Sequence, residues 1–371
     1  IDLKVLELNN ILFTRVDKWI GQDLTASIKK LALTANEIDL SKKSIAINEI
    51  KLDEPVFSVS YYRGNKPLAD PAANAEITVS ETGQLQWNAA GWQLHINKIL
   101  LHDGSFLNDK ETARAPYTDH FDGQHLKFSK INGELSNVLI SKDTITSNIK
   151  LSAKEKSGFE VKQLTAVMKL TPGIMEFSNL DMITEKSRIG NYYAMRYNNF
   201  NTDMSNFLHS VKLEGSFERS HIHTDDIAFF APAVKDWKRI IYFEGNARGS
   251  IDNLSANKLK LKSDNTIIDG DIALKGLPDI YSTFIDFKSN DLQTNYNDVV
   301  KLVPTLRNIG QPQLSRLGDI RFRGSFTGFI KDFVAYGNIN TSLGNLNADL
   351  NMKLRDNQVP TYSGNISSAG F

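Results

Sequence analysis

Apolar and polar side chains alternate along much of this chain. The clearest stretches are residues 44–52, 144–151, 258–262, 271–275 and 347–354, where apolar residues recur at about every second position. A period of two places successive side chains on opposite faces of a β-strand. One face would be apolar, and the other would carry Lys, Asn, Asp, Ser and Thr. This pattern is typical of an antiparallel sheet with one covered face, so the chain is predicted to be all-β.

Turn-forming residues punctuate this alternation at short intervals. Asp103-Gly104, Asn132-Gly133 and Asp269-Gly270 are typical hairpin signals, and similar signals recur about every 8 to 12 residues. Such spacing predicts regular short strands in an elongated, mainly antiparallel sheet, in which about 25 to 30 strands would be stacked along one axis.

Two segments depart from the alternation and predict short helices. In residues 224–234, Thr224 is a candidate N-cap, Asp225 and Asp226 suit the first turn, and Pro232 ends or kinks the helix. The second segment, residues 295–307, carries an apolar stripe that runs into Pro304. Both helices are too short to be stable alone, so we expect them to pack on a side or an edge of the sheet.

A weak internal repeat relates residues 243–254 to residues 322–333. Two glycines recur in place, at 245 and 249 and at 324 and 328. Because they lie in strand-like segments, we expect them to permit bends or a close backbone approach rather than to bind phosphate. No composition shift marks a firm boundary, so residues 1–371 are interpreted as one elongated β-section, with a tentative subdivision near 200–220.

Composition narrows the function classes. The 371 residues contain 43 Lys and Arg against 43 Asp and Glu, which argues against a protein that neutralises nucleic-acid phosphates. There is no cysteine, which excludes disulfides, thiol nucleophiles and Cys-ligated metals. No apolar run approaches the ~18 to 20 residues of a membrane-spanning helix. The chain begins at Ile1 within the alternating pattern, so we expect it to be an interior piece of a longer protein.

The histidines offer the main candidates for chemistry. His221 and His223 would share one face of a strand and precede Asp225 and Asp226, a set that suits a metal ion. The simpler interpretation is an exposed pair at a strand end, before a helix cap.

A loop-like stretch holds a second group, in which the simpler interpretation is a set of ordinary surface neighbours: His120, His125, Asp119 and Asp122. No nucleophile elbow, phosphate-binding loop or dinucleotide fingerprint is present. The chain is therefore predicted not to be an enzyme and to have no catalytic residue, metal or cofactor.

A sheet with one apolar face must shield that face from water. It can pack into a filled sandwich or curl into an open trough, and both alternate in the same way. An open trough would have a uniform apolar lining with no charged side chain inside. The candidate lining residues come from the inward positions of the clearest strands: Ile45, Ile47, Ile145, Ile149, Leu151, Leu259, Leu261, Ile272, Leu274, Leu346, Leu350, Met352 and Leu354.

An ordered set of segments resembles the Bacteroidota branch of the TamB/AsmA-like family of translocation and assembly module proteins. The segments are VDKWIGQD (16–23), IDLSKK (38–43), IKLDEPV (50–56), YRG (62–64), LSAKEKSGF (151–159), DDIAFFAP (225–232) and GDIALKGLP (270–278). They spread along most of the chain, and it is their order rather than any single motif that carries the resemblance.

The resemblance implies a long periplasmic protein that is anchored in the inner membrane by an N-terminal helix, which this chain lacks. It implies a U-shaped β-groove that shields phospholipid tails and conducts them between the inner and outer membranes. It also implies an alternative function as a scaffold for outer-membrane protein assembly with a BamA-like barrel partner. From the residues alone, such a scaffold would act through exposed strand edges. A secreted β-solenoid enzyme acting on polysaccharide is a third alternative, which would need an acidic cluster on one exposed face.

Overall fold

The computed structural model describes residues 4–67, 87–302, 307, 313–354 and 361–368. The chain forms two compact units. Unit 1 comprises residues 1–185 and 196–205, and unit 2 comprises residues 186–195 and 206–371. Both units consist mainly of β-strands.

Unit 1 contains nine strands and one short helix. The strands are β1 (Val5–Asp17), β2 (Gln22–Asp39), β3 (Ser44–Asp53), β4 (Val56–Tyr61), β5 (Gln93–Lys110), β6 (His125–Ser141), β7 (Thr144–Glu155), β8 (Glu160–Thr171) and β9 (Ile174–Ile183), and the helix is α1 (Phe200–Ser205).

Unit 2 contains most of β10 and the remaining strands, with three short helices. They are β10 (Arg188–Arg196), α2 (Phe207–Ser210), β11 (Lys212–His223), α3 (Thr224–Ala228), β12 (Ile240–Ser250), β13 (Asn253–Ser263), β14 (Thr266–Lys275), β15 (Phe284–Asn295), α4 (Tyr296–Leu302), β16 (Asp319–Phe329), β17 (Asp332–Thr341), β18 (Gly344–Lys353) and β19 (Thr361–Ser368).

Most strand pairs are antiparallel neighbours in sequence. In unit 2 the ladder runs from β11 through each successive strand to β19. In unit 1, β3 and β4 both pair with β2, and β5 lies parallel to both of them. The ladder then continues antiparallel from β5 to β9. The predicted all-β, mainly antiparallel fold with short helices is confirmed.

Over the described ranges of the chain, the strands are longer and fewer than the turn signals predicted. Asp103-Gly104, Asn132-Gly133 and Asp269-Gly270 all lie within strands, at shifts in the pairing register. These dipeptides are therefore β-bulges and not chain reversals. A bulge and a turn use the same flexible residues, and the neighbouring strand decides which of the two forms.

Both predicted helices are present but short. Residues 224–234 form α3 and a separate 3-10 turn at Pro232–Val234. The N-cap is His223 rather than Thr224, because the His223 ring accepts a hydrogen bond from the Asp225 backbone N–H. The second helix is α4, and Pro304 lies outside the described residues.

Candidate functional site

Each unit has one apolar sheet face, built by cross-strand pairing. In unit 2, strand partners at the same register share a face, and two rows cross the sheet from β13 to β18. The first row is Ala256, Ile272, Phe287, Phe326, Ala335 and Leu350; the second is Leu261, Ile268, Leu292, Phe322, Ile339 and Leu346. The predicted lining residues Leu259, Leu261, Ile272, Leu274, Leu346, Leu350 and Met352 all belong to this face, and Leu354 follows it beyond β18.

Unit 1 repeats this arrangement. Rows of partners cross β2 to β8, for example Leu33, Ile50, Ile99, Leu135, Ile149 and Ala166. The predicted residues Ile45, Ile47, Ile145, Ile149 and Leu151 all lie on this face.

Most of the predicted lining side chains are only half-buried. Ile47, Ile149 and Leu354 are buried, and the other ten are intermediate in exposure. The main apolar cluster of unit 1 centres on Ile47, Ile96 and Val138, and every residue packed against it comes from β2, β3, β5, β6 or β7. Among the described residues, the contacts in this cluster therefore join neighbouring strands of one sheet and include no second layer.

The few large, fully buried side chains are mostly polar. Apart from Val211, they are Glu155, Thr224, Thr283, Asp122, Asp298, Ser220 and Ser250. A filled sandwich of this length would bury large aliphatic and aromatic side chains instead. Among the described residues, the apolar faces thus retain accessible surface.

A line of bulges and glycines crosses the middle of the unit 2 sheet. The register shifts on β11 and β13 surround Arg219 and Lys258, which have positive φ angles of 46° and 52°. The intervening strand β12 carries Gly245 near these shifts, at φ 135°. A bulge bends its strand and increases the local twist, so this line bends the unit 2 sheet locally.

The glycines on this line are needed for backbone contact. A Cβ on Gly245 would lie 2.9 Å from the Lys258 carbonyl oxygen, and one on Gly324 would lie 2.1 Å from the Tyr336 carbonyl oxygen. The prediction that the repeated glycines permit close backbone approach is confirmed.

The apolar face of unit 2 becomes polar at one rim. Every second residue of a strand lies on the apolar face. On β12 this set runs from Phe243 through Ile241 to Arg239, just before the strand, and on β13 it runs from Leu261 to Ser263. Thr266 and Thr294 follow on the next strands and share a 2.9 Å hydroxyl hydrogen bond. The inward positions within the opposite strand ends are apolar, at Leu254, Leu274, Ile285 and Met352, although the fully buried Thr283 continues the inward set just before β15.

Unit 1 also has a polar rim. β7 is regular, so Glu155 at its end shares the face of Ile149 and Leu151, and it is also the register partner of Phe128. Asn108 and Lys110 lie near the corresponding end of β5. Burial lowers the pKa of Lys110, whose ammonium lies 6.0 Å from the Tyr61 ring centre. The opposite rim is apolar, with Ile45, Leu94 and Ile145.

The expectation of a lining without charge is therefore wrong at these rims. Glu155 is 1% exposed and Arg239 is 8% exposed. Each continues the alternation of its own strand, so the sequence contained the signal. Glu155 and Arg239 are absent from the predicted lining residues because only apolar side chains were selected at the inward positions.

The helices α3 and α4 of unit 2 lie at its polar rim, at strand ends. In α3, the Asp226 carboxylate accepts a hydrogen bond from Ser187, and the Thr224 hydroxyl accepts one from the Arg239 backbone N–H. In α4, Asp298 accepts one from the Asn265 backbone N–H. These contacts attach both helices to adjacent turns of the rim.

His221 and His223, the candidate metal ligands, both make local structural contacts. His223 caps α3, while the His221 ring packs against Tyr242 at 5.6 Å. The Asp225 carboxylate forms ion pairs with the ammonium groups of Lys186 and Lys238, each at 2.6 Å. These two ion pairs lower the pKa of the carboxyl group to about 2. Within the described ranges, no group of three or more His, Asp or Glu side chains is placed to hold a metal ion.

The loop between β5 and β6 is organised by Asp122. Its carboxylate accepts two hydrogen bonds from Arg114, at 2.7 and 2.9 Å, and one from the Tyr117 backbone N–H. The Arg114 guanidinium holds the pKa of Asp122 well below its usual range.

His125 lies between the Asp109 carboxylate, at 2.8 Å, and the Thr112 hydroxyl, at 2.9 Å. The Thr112 hydroxyl also donates a hydrogen bond to the Arg114 carbonyl oxygen. Thr112 therefore stabilises the loop between β5 and β6.

Comparison with known proteins identifies no relative: no family model, curated protein or solved structure matches the chain. In the part of the chain that the structure describes, no helix is long and apolar enough to cross a membrane.

Proposed function

We propose that the apolar faces of both units bind the acyl chains of phospholipids, as a non-enzymatic section of a periplasmic bridge between the inner and outer membranes. The observation that carries this proposal is a half-buried apolar face that turns polar at a rim of each unit. This distribution matches an amphiphile, with tails across the face and a headgroup at the rim.

The energetics suit transport as well as binding. Each buried CH₂ group contributes roughly 0.8 kcal/mol, so two acyl chains would bind firmly. The rows that cross the strands repeat similar aliphatic side chains, for example Ile268, Leu292 and Ile339. A tail would exchange one such contact for another as it moves from strand to strand, which keeps the cost of sliding low. The resemblance to the TamB/AsmA-like family supports the same proposal.

Neighbouring residues on β14 provide a matched test. Ile268 lies on the apolar face opposite Leu261, whereas Ile267 lies on the other face and is 39% exposed. We would purify wild type, Ile268→Asp and Ile267→Asp under mild conditions and measure the co-purifying phospholipid by mass spectrometry.

We expect near-stoichiometric phospholipid with wild type and Ile267→Asp, and a large loss with Ile268→Asp. A folded wild type with no lipid above an equally sized β-protein control would reject the proposal.

The edge strand β19 favours a second candidate function, the assembly of outer-membrane β-barrels through a BamA-like partner. Among the described residues β19 pairs only with β18, all eight of its residues are exposed and it carries no charge. Strands that must avoid further pairing usually carry charge or bulges, so a partner strand that continues the ladder at the uncharged β19 suits β-augmentation. A photo-crosslinker at Ile366 should then capture a barrel protein in cells, and one at Lys260 should not; equal capture at both positions would reject this function.

A further inference from the structure

We propose that Arg239 and Ser263 bind the phosphate of the lipid headgroup at the polar rim of unit 2. This inference rests on the proposed function and adds the part of the lipid that unit 2 recognises. It starts from two buried polar groups, the Arg239 Nη2 and the Ser263 Oγ, neither of which has a hydrogen-bond partner among the described residues.

The two groups belong to the same place on the sheet. Tyr242 pairs with Lys262, so continuing the register one residue places Ile241 opposite Ser263. Arg239 lies two residues before Ile241, on the same face. Its Nε is 3.5 Å from the carboxylate of Asp264, the residue that follows Ser263.

The position of Arg239 is held by its backbone. Its N–H donates to the Thr224 hydroxyl at 3.0 Å, and its carbonyl oxygen accepts from the Thr224 N–H at 2.9 Å. Thr224 itself is fully buried. A buried guanidinium on a fixed backbone, with a donor to spare, is suited to binding an oxyanion.

The surrounding charges are mixed. Asp264 lies beside Arg239 and also 3.5 Å from the Lys301 ammonium, which in turn contacts Asp298 at 3.3 Å. Asp264 is half-exposed, whereas Arg239 is 7% exposed in its side chain. Asp264 thus contacts the Nε of the guanidinium and leaves the buried Nη2 as the donor that a ligand would have to reach.

The guanidinium, the hydroxyl and the apolar side chains beside them suit a phosphodiester that carries acyl chains. Its two unesterified oxygens can accept hydrogen bonds from the Nη2 and from the Ser263 hydroxyl. An apolar wall formed by Leu261, Phe243 and Ile241 lies directly next to them on the same face. Diacylglycerol would occupy the same wall but offers the two donors no anionic oxygen.

The experiment compares phosphatidylglycerol with diacylglycerol carrying the same fluorescent acyl chains, using the purified full chain after lipid removal. We expect wild type to bind phosphatidylglycerol about tenfold more tightly. Arg239→Gln should weaken phosphatidylglycerol binding to the wild-type value for diacylglycerol, with a smaller loss, about threefold, for Ser263→Ala. Inorganic phosphate is added as a competitor to distinguish headgroup binding from binding of free phosphate.

Arg321→Gln is the matched control, because Arg321 lies on the polar face and is paired with Asp291. The inference is overturned if wild type shows no preference, if Arg321→Gln reduces the preference as much as Arg239→Gln, or if Ser263→Ala leaves it intact. Millimolar phosphate that displaces phosphatidylglycerol and diacylglycerol equally would also overturn it.

If circular dichroism shows that Arg239→Gln does not fold, the preference for phosphatidylglycerol over diacylglycerol is measured on Arg239→Lys and Ser263→Ala instead. A wild-type chain that binds neither lipid would reject the proposed function itself.

Discussion

Gly324 of β16 lies directly opposite Gly337 of β17, and a Cβ on either residue would come within 2.7 Å of the Cα of the other. Both have positive φ angles, 156° and 152°. The two backbones approach each other here because neither residue has a side chain.

Substitution at this pair should therefore destabilise unit 2. For Gly324→Ala we expect a loss of at least about 2 kcal/mol, since the backbone conformation alone costs about 1 to 3 kcal/mol for a residue with a Cβ. Urea unfolding measures the loss. Gly123→Ala is the control, because its Cβ would meet only a Phe121 ring carbon at 3.8 Å. Equal stability of the two variants would contradict this account.

The apolar cluster of unit 1 should depend on Ile96. This side chain is 4% exposed and lies between Ile47 and Val138. Ile96→Ala should cost about 2 to 4 kcal/mol, toward the lower value because a single-layer cluster can relax into the space. Ile20→Ala, at a position that is 50% exposed, should change the free energy of unfolding by less than about 0.5 kcal/mol. Similar losses in both would show that the cluster does not stabilise the unit.

Acid should weaken the contacts at α3 through Asp225. Lys186 and Lys238 lower the pKa of its carboxyl group from 3.8 to about 2. A lowered pKa in the folded state stabilises the protein above pH 3.8, and this contribution is lost as the pH falls from 3.8 toward 2.

The difference in Tm between wild type and Asp225→Asn should thus be largest above pH 4 and disappear near pH 2. Asp236→Asn, in the exposed loop that follows α3, serves as the control. A difference for Asp225→Asn that persists unchanged at pH 2 would exclude the ion pairs as its cause.

The loop between β5 and β6 should open when Asp122 is removed. Asp122→Ala deletes the acceptor of two Arg114 hydrogen bonds and of the Tyr117 N–H. Limited proteolysis within residues 111–124 should become roughly tenfold faster, which corresponds to about 1.4 kcal/mol in the opening equilibrium. Asp119→Ala removes an exposed carboxylate paired with His120 and should leave cleavage unchanged. Faster cleavage in both variants would reject a specific role for Asp122.

The alternation of side chains determined which residues share a face. Because the period of a strand is local, Leu259 and Leu261 could be assigned to one face without knowledge of their neighbours. The same rule extends to Arg239, Ser263 and Glu155 at the rims, although only the structure shows that these polar residues are buried. Burial depends on where a strand ends relative to the elements around it.

Only the tertiary structure decided whether Gly and Asp pairs reverse the chain or bulge within it. Asp103-Gly104 and Asp269-Gly270 have the composition of hairpin turns, yet each lies inside a strand at a register shift. The choice depends on the backbone of the adjacent strand, which is distant in sequence. For the same reason the half-buried state of Ile45 or Leu350 could not be predicted: a period of two shows that a face is apolar, whereas its exposure depends on whether another layer packs against it.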